Sequence, residues 1–265
     1  IAQYTESTLD LHDPKTFRDL SKPMGAINEG RLDDLLDRFN SMEEEYREGS
    51  EEIPPFMYGS HYSTMVGVVL HFLVRLQPFA SLHCEMQGGH FDVADRIFSS
   101  IPRTWKQNTT HLSEVKEITP EWFTTPEIFK NVNKFEFGHT QDGEVVDDVQ
   151  LPPWANTAEE FVRLNREALE SDYVSEHLHE WIDLIFGFKQ IGEAAIEANN
   201  VFFYLTYYNA VDRSRIDENL RKQIELQISH FGQTPMQLFT QSHPAKKRKS
   251  ISSAILSNEK NSPRP

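Results

Sequence analysis

Apolar residues recur at helical spacing over Leu32, Leu35, Leu36, Phe39, Met42 and Tyr46. Asn28 stands where a helix in that register needs an acceptor for its first free N–H groups, and Gly49 where the helix must stop. Ser63 to Leu76 is apolar on nearly every side, as a buried helix is, and Pro78 follows it. Asp92 is placed to cap a short amphipathic turn through Phe98. Thr157-Ala158-Glu159-Glu160 reads as a capping box that opens a helix to about Ser171. Val174 to Phe188 carries a broad apolar face of Leu178, Trp181, Ile182, Ile185 and Phe186. The stretch from Ser214 to Asp217 can cap a last long helix that ends at Phe231 and is stopped by Gly232. Thr234-Pro235 then resembles an N-cap followed by proline at the first helical position.

The connections follow neither period. Ile53-Pro54-Pro55, Thr119-Pro120, Leu151-Pro152-Pro153-Trp154 and Val201 to Tyr208 are apolar or aromatic without helical or strand alternation. They are expected to be extended segments crossing the core, above all 15–23, 151–155 and 201–207. The fold class is therefore mainly α, with helices around a core of extended irregular segments and little or no β-sheet; strand should stay below about 10% against a base rate near 20–25%. No repeat of solenoid length is visible. Irregular backbone in a core finds no ladder, so side chains must satisfy its N–H and C=O groups. Arg18, Asp19, Ser21, His61 and Asp183, polar residues within apolar runs, are candidates for that work. Arg18 in particular should be paired with a carboxylate, Asp19 or Asp183 being candidates, or with several backbone carbonyls.

The 18 Phe and an aromatic content of 11% supply a sizeable core for one large domain. The net charge is −15. From His243 onward the bases are Lys246, Lys247, Arg248, Lys249, Lys260 and Arg264 and Glu259 is the only acid, so the acidic excess lies wholly in the preceding body. Such a body repels phosphate backbones and argues against nucleic acid as a partner. The polar, Ser-rich tail over 245–265 is expected to be a disordered basic linker, leaving 1–244 as the domain. Lys246 to Lys249 could also serve as an import signal or touch anionic lipid. With Ile at position 1, the chain has the look of a piece of something longer.

Candidate chemistry is sparse. Cys84 is the only cysteine, which fits a reducing compartment. His177 and His179, two apart on a helix, project about 200° from each other, whereas helical metal pairs need three or four residues of separation. His83, Cys84 and His90 lack a fourth ligand at recognisable spacing. Glu176 and Glu180 read as a solvated face. No catalytic residue, cofactor site or metal site is expected, and a hydrolase built on His177 or His179 is the least favoured alternative. Asn108-Thr109-Thr110 forms a glycosylation sequon, read as a chance surface triplet.

Five longer strings carry more. Phe17-Arg18-Asp19-Leu20-Ser21-Lys22-Pro23, Tyr58-Gly59-Ser60-His61-Tyr62-Ser63, Leu151-Pro152-Pro153-Trp154-Ala155, Trp181-Ile182-Asp183-Leu184-Ile185-Phe186-Gly187 and Phe231-Gly232-Gln233-Thr234-Pro235 resemble, in order, the signature segments of the BEACH domain family. The resemblance runs over about 4–244. Gln87 to Asp92 and Leu178 to Trp181 look closest to the autophagy-linked FYVE-type or lysosomal trafficking regulator branches. The chain departs from the family where Ile118-Thr119-Pro120-Glu121-Trp122 replaces Leu-Ile-Pro-Glu-Phe and where Gly192-Glu193 replaces glycine-proline.

The resemblance implies a non-catalytic scaffold module of very large cytoplasmic proteins, peripheral to endomembranes and concerned with vesicle traffic, lysosomes or autophagy. It implies an upstream PH-like domain that docks on this one, and WD40 repeats downstream. The groove expected to receive the PH-like neighbour is made of Arg18, Lys22, Tyr58, His61 and Tyr62. Tyr58 and His61 are assigned to its wet rim because each has a polar end. Asp19, Trp154, Trp181 and Asp183 are expected to be structural signature residues. The alternative is a membrane-surface adaptor in which the PH-like neighbour and the basic tail contact anionic lipid.

Overall fold

The computed structural model describes residues 1–208, 210 and 217–247. Helix α1 (Glu29–Arg47) begins at Asn28, whose side chain accepts from the Arg31 N–H, and the chain leaves it through Gly49 at φ 72°. The apolar run that follows is not one continuous helix. Thr64, rather than Ser63, caps a π-turn over Met65–Val69, which passes into a single turn, α2 (Leu70–Phe72), and ends at Leu73. A separate helix, α3 (Phe79–Met86), then starts directly after Pro78. A uniformly apolar segment has no preferred face, so its period says nothing about where the helix breaks.

Helix α4 (Ile101–Thr110) is capped by Ser100, whose hydroxyl accepts from Arg103 N–H, and carries Pro102 in its first turn. Helix α5 (Ala158–Leu169) is capped by Thr157. Its Glu160 does not return to Thr157; the carboxylate accepts from Asn156 N–H at 2.8 Å, one residue earlier than a capping box requires. Helix α6 (Asp172–Ile185) begins at Ser171, and α7 (Glu193–Glu197) is a short turn after Gly192. Helix α8 (Glu218–Phe231) is capped by Asp217 and stopped by Gly232 at φ 80°; Ser214 lies outside the described residues.

Two local expectations fail. Asp92 does not cap a helix: its carboxylate accepts from Val93 N–H and from the Arg96 guanidinium, and the turn over Ala94–Arg96 starts without a side-chain cap. Thr234-Pro235 opens no helix, because Thr234 is buried with its N–H and hydroxyl both donating to Thr206 O. The following residues stay extended, with Leu238 N–H donating to Phe186 O at 2.8 Å.

The described residues contain no sheet. Only isolated bridges join Tyr58 to Phe202, Ser100 to Gln150 and His139 to Val145. The largest core packs Phe72, Phe98, Trp122, Phe129 and Phe161 edge to face, with Trp154 stacked on Phe161. A second core joins Leu35, Phe39, Met57, Tyr58 and Phe202, and a third Val74, Ile97 and Phe137. The extended segments thread these cores with alternate burial: Thr16, Phe17 and Pro23 are inside while Lys15 and Asp19 are exposed, and Trp154 and Ala155 are inside while Pro153 is exposed. Within 201–207 the residues Tyr204–Thr206 make a 3-10 turn. Residues 245–247 are irregular; the rest of the expected linker, and most of its basic residues, lie outside the described residues.

The irregular backbone is indeed satisfied by side chains, though mostly by ones that the apolar-run argument did not select. Arg31, 3% exposed on α1, donates to the carbonyls of Gly25, Asn108, His111, Glu114 and Met24. Arg75, fully buried, donates to Phe98 O at 2.5 Å and Asp147 O at 2.7 Å, with its guanidinium 5.1 Å from the centre of the Phe137 ring. Burial draws the Arg75 pKa down to about 10, against the pull of Asp148 and Asp147. Asn108 uses its whole amide on Lys116, accepting from the N–H and donating to the carbonyl. That leaves no free side-chain nitrogen for a glycan in the folded chain.

Candidate interaction groove

The segment 17–24 is pinned to α6 by aromatic stacking. Phe17 lies on Tyr173 with ring centroids 4.6 Å apart and planes 14° apart, and the Tyr173 hydroxyl reaches Arg18 O at 3.5 Å. This aims the Arg18 side chain the other way, toward the strand-like stretch 115–118. There its Nη2 forks onto both oxygens of Glu117, at 2.7 and 2.9 Å, with the two side chains 11% and 18% exposed. Of the two expected kinds of partner, a carboxylate or several carbonyls, it is a carboxylate, but neither Asp19 nor Asp183: Glu117 lies 99 residues away. Glu117 N–H in turn donates to Tyr62 O at 3.0 Å, so Arg18, Glu117 and Tyr62 form one linked unit.

Lys22 stands beside it. A narrow cleft is lined by Lys22, Tyr62, Glu117 and Trp181, with Tyr58, Leu184 and Phe202 beneath. Lys22, Tyr62 and Trp181 are half-buried. The groove thus has a cationic lip, an aromatic wall from α6 and another from residue 62, and an ion pair at its inner end. Trp181, Glu117 and Met24 also line a second, open cleft of about 380 Å³, together with Ile1, Trp105, Leu169 and Leu178.

Two residues assigned to the rim are not there. Tyr58 and His61 are each 2% exposed. The Tyr58 hydroxyl satisfies itself internally, donating to Asn199 O at 2.7 Å, and burial pushes its pKa up. His61 pairs through Nδ1 with the Ser63 hydroxyl at 2.9 Å, and its backbone N–H donates to Phe231 O. Burial lowers the His61 pKa to about 3, so the ring is neutral at physiological pH. The polar tip of Tyr58 is met inside the protein by Asn199 O, whereas Nε2 of His61 is buried without a partner among the described residues.

The signature residues hold segments together. Asp19 caps its own turn, accepting from the N–H and hydroxyl of Ser21 at 2.9 and 2.6 Å; against partial desolvation, these bonds hold its carboxyl below the usual range. Asp183 is buried on α6 and accepts from His243 N–H at 2.8 Å and the Ser242 hydroxyl at 3.1 Å, tying the C-terminal stretch down. Trp154 donates from Nε1 to Gln3 O at 2.8 Å and fastens the N-terminal segment to the core. Trp181 is the exception, because it faces the groove.

The histidines of α6 do not converge. His177 bonds to Glu180 at 3.0 Å and lies against Tyr173, while Nδ1 of His179 is buried without a partner. Among the described residues no group of three His, Cys, Asp or Glu side chains is placed to hold a metal ion. No helix among them is long and apolar enough to cross a membrane.

Among the described residues, helices without a sheet, laced by extended segments whose carbonyls are met by buried arginines and asparagines, define an irregular α-rich domain. The chain belongs to the Beige/BEACH domain family, whose sequence pattern matches residues 1–246. It is 50% identical over 246 residues to BEACH domain-containing protein B of Arabidopsis thaliana, covering 92% of this chain and 9% of that protein. It is 50% identical to BEACH domain-containing protein lvsE of Dictyostelium discoideum and 49% identical to Beige protein homolog 1 of Saccharomyces cerevisiae. Each of those two matches covers 93% of this chain and 11% of the relative. The chain thus spans about a tenth of the length of these relatives. None of these names refers to a catalytic activity.

Proposed function

We propose that this domain is a non-catalytic docking module of a large vesicle-trafficking or autophagy scaffold, and that its groove receives a PH-like domain lying upstream in the same polypeptide. One observation carries the reading. The half-buried rings of Trp181 and Tyr62 meet in one cleft with Lys22 and with Glu117 of the Arg18–Glu117 pair. Aromatic and arginine anchors framed by a polar rim are the composition of interface hot spots. The Arg18–Glu117 pair, in which one guanidinium nitrogen meets both carboxylate oxygens, holds Glu117 in place at the inner end of the cleft before a partner arrives, which lowers the ordering cost of binding.

Family membership, together with the small share of each relative that the chain spans, supports a module that works among other domains. Downstream WD40 repeats and a peripheral position on endomembranes, on the cytoplasmic side, belong to the same proposal. Docking should bury on the order of 1,200–2,000 Å² in total. Calorimetric titration of this domain with its own PH-like domain should show a complex of low-micromolar affinity or tighter. No heat and no complex at roughly 100 μM, with both partners folded, contradicts the proposal. Pelleting with anionic liposomes that is lost on removing 244–265 favours the membrane-surface alternative instead.

A further inference from the structure

The last described stretch changes character at Pro235. Up to that point it is built into the fold: Thr234 is 4% exposed and bonds twice to Thr206 O, and Gln190 Nε2 donates to Pro235 O at 2.8 Å. Beyond it the chain runs antiparallel along α6 as a strap over 236–246 with little apolar anchorage. Met236, Leu238 and Phe239 are 60%, 62% and 41% exposed, and every residue over 240–247 except His243 is exposed. What holds the strap is polar. Leu238 and Phe239 donate their N–H groups to Phe186 O, just past the end of α6, and Gln237 Nε2 donates to Gly187 O at 3.0 Å. In the middle the Ser242 hydroxyl and His243 N–H meet Asp183, and at the far end Lys246 donates to the Ser175 hydroxyl.

The Asp183 clasp is finely balanced. A carboxylate 3% exposed has to be hydrogen-bonded, and both donors that meet it among the described residues belong to the strap. A lifted strap returns that carboxylate to water, so hydration offsets much of what the two bonds contribute. A segment with exposed hydrogen bonds and few apolar contacts opens at a lower free energy than the helices beneath it. We infer that 236–246 is a releasable strap: it lifts from α6 as one unit, with Asp183 as its clasp, while α6 and the cores stay folded. Closed, it makes the following chain leave the domain beside Ser175; open, the chain leaves from the Phe186 end, about 16 Å away along the helix axis. The strap thus sets where the polypeptide after residue 247 departs. This does not depend on PH-like docking, which uses Trp181, about 200° around α6 from Asp183.

Amide exchange in the full chain, read residue by residue by NMR, tests this at the Leu238, Phe239 and His243 N–H groups that the strap bonds protect. In the parent these should exchange at least roughly tenfold faster than the slowest amides of α6, with a weaker dependence on urea. Equal rates and equal urea dependence mean that the strap opens only when the domain unfolds, and overturn the inference. Asp183→Ala removes the clasp and should speed Leu238 and Phe239, which bond to Phe186 rather than to Asp183, by at least roughly tenfold while the amides of α5 keep their rates. His243→Pro removes a clasp donor from the strap side without touching α6, so the outcome stays readable if Asp183→Ala fails to fold. The same acceleration of Leu238 and Phe239 is expected. Unchanged rates at those two residues in His243→Pro would show that the ties act separately rather than as one unit. That result overturns the inference, as does an equal acceleration of α5.

Discussion

Arg31→Met tests how this α-rich domain keeps its extended backbone in place. The guanidinium donates to five carbonyl oxygens, at 3.1 Å to Gly25, 2.7 Å to Asn108, 3.0 Å to His111 and 2.9 Å to Glu114, and also to Met24. It joins α1 to the turn over Met24–Ala26 and to the chain leaving α4. At ~1 kcal/mol net for each such bond, removal forfeits about 5 kcal/mol. Methionine fills much of the same volume and spares the cost of burying a charge, seen in the lowered Arg31 pKa; that relief offsets about 1–3 kcal/mol. The expected net loss is about 2–4 kcal/mol, a large share of the ~5–15 kcal/mol that holds a domain together. Urea denaturation followed by tryptophan fluorescence measures it, with an unchanged slope showing that the same surface is exposed. Arg31→Lys should recover little, because one ammonium cannot reach carbonyls arranged around a planar fork. An Arg31→Met variant within 0.5 kcal/mol of the parent would refute the reasoning.

Arg18→Ala should cost about 1–3 kcal/mol by leaving Glu117 unpaired at 18% exposure, and Arg18→Ala with Glu117→Gln should recover part of it; an Arg18→Ala midpoint equal to the parent's would mean the pair serves a partner instead. His61, held near 3 in the folded state against about 6.5 unfolded, makes stability fall as pH drops below 6.5. At pH 5 this amounts to about 2 kcal/mol, and His61→Gln should flatten that part of the pH–stability curve measured by urea denaturation. Gly187→Ala places a Cβ 2.6 Å from Asp183 Cα and 2.9 Å from its carbonyl oxygen, backbone that cannot step aside; a loss of at least about 2 kcal/mol in thermal unfolding is expected.

The helices that were legible in advance are those with one apolar face and a capping side chain. Asn28, Thr157, Asp217 and Gly232 all mark real ends. Ser63 to Leu76 failed because apolar residues on every side erase the period, and α4 escaped notice because Ser100 and Pro102 precede a mostly polar run. The threaded architecture was legible from prolines and aperiodic aromatics. The residues that satisfy it were less so: Arg31 sits on a helix whose polar residues look solvated, and only the fold shows that its reach ends on five carbonyls. Of the residues assigned to a groove in advance, Lys22, Tyr58 and Tyr62 line the cleft and Arg18 reaches it through Glu117; Trp181 was assigned a structural role, and Glu117 carried no local signal, since its partner is 99 residues away. Tyr58 was misplaced at the rim because its polar tip is met within the core, and His61 because its ring is buried against Tyr62 and Phe202 with Nε2 left unpaired among the described residues.

The docking proposal is tested most directly by one titration, the PH-like domain into this domain carrying Lys22→Glu. Lys22 is half-buried on the groove's lip, so its reversal alters the surface met by a partner while the cores are untouched. The account predicts binding at least roughly tenfold weaker than with the parent, about 1.4 kcal/mol, at an unchanged melting midpoint. Binding as tight as the parent's would contradict it and place the partner on another face.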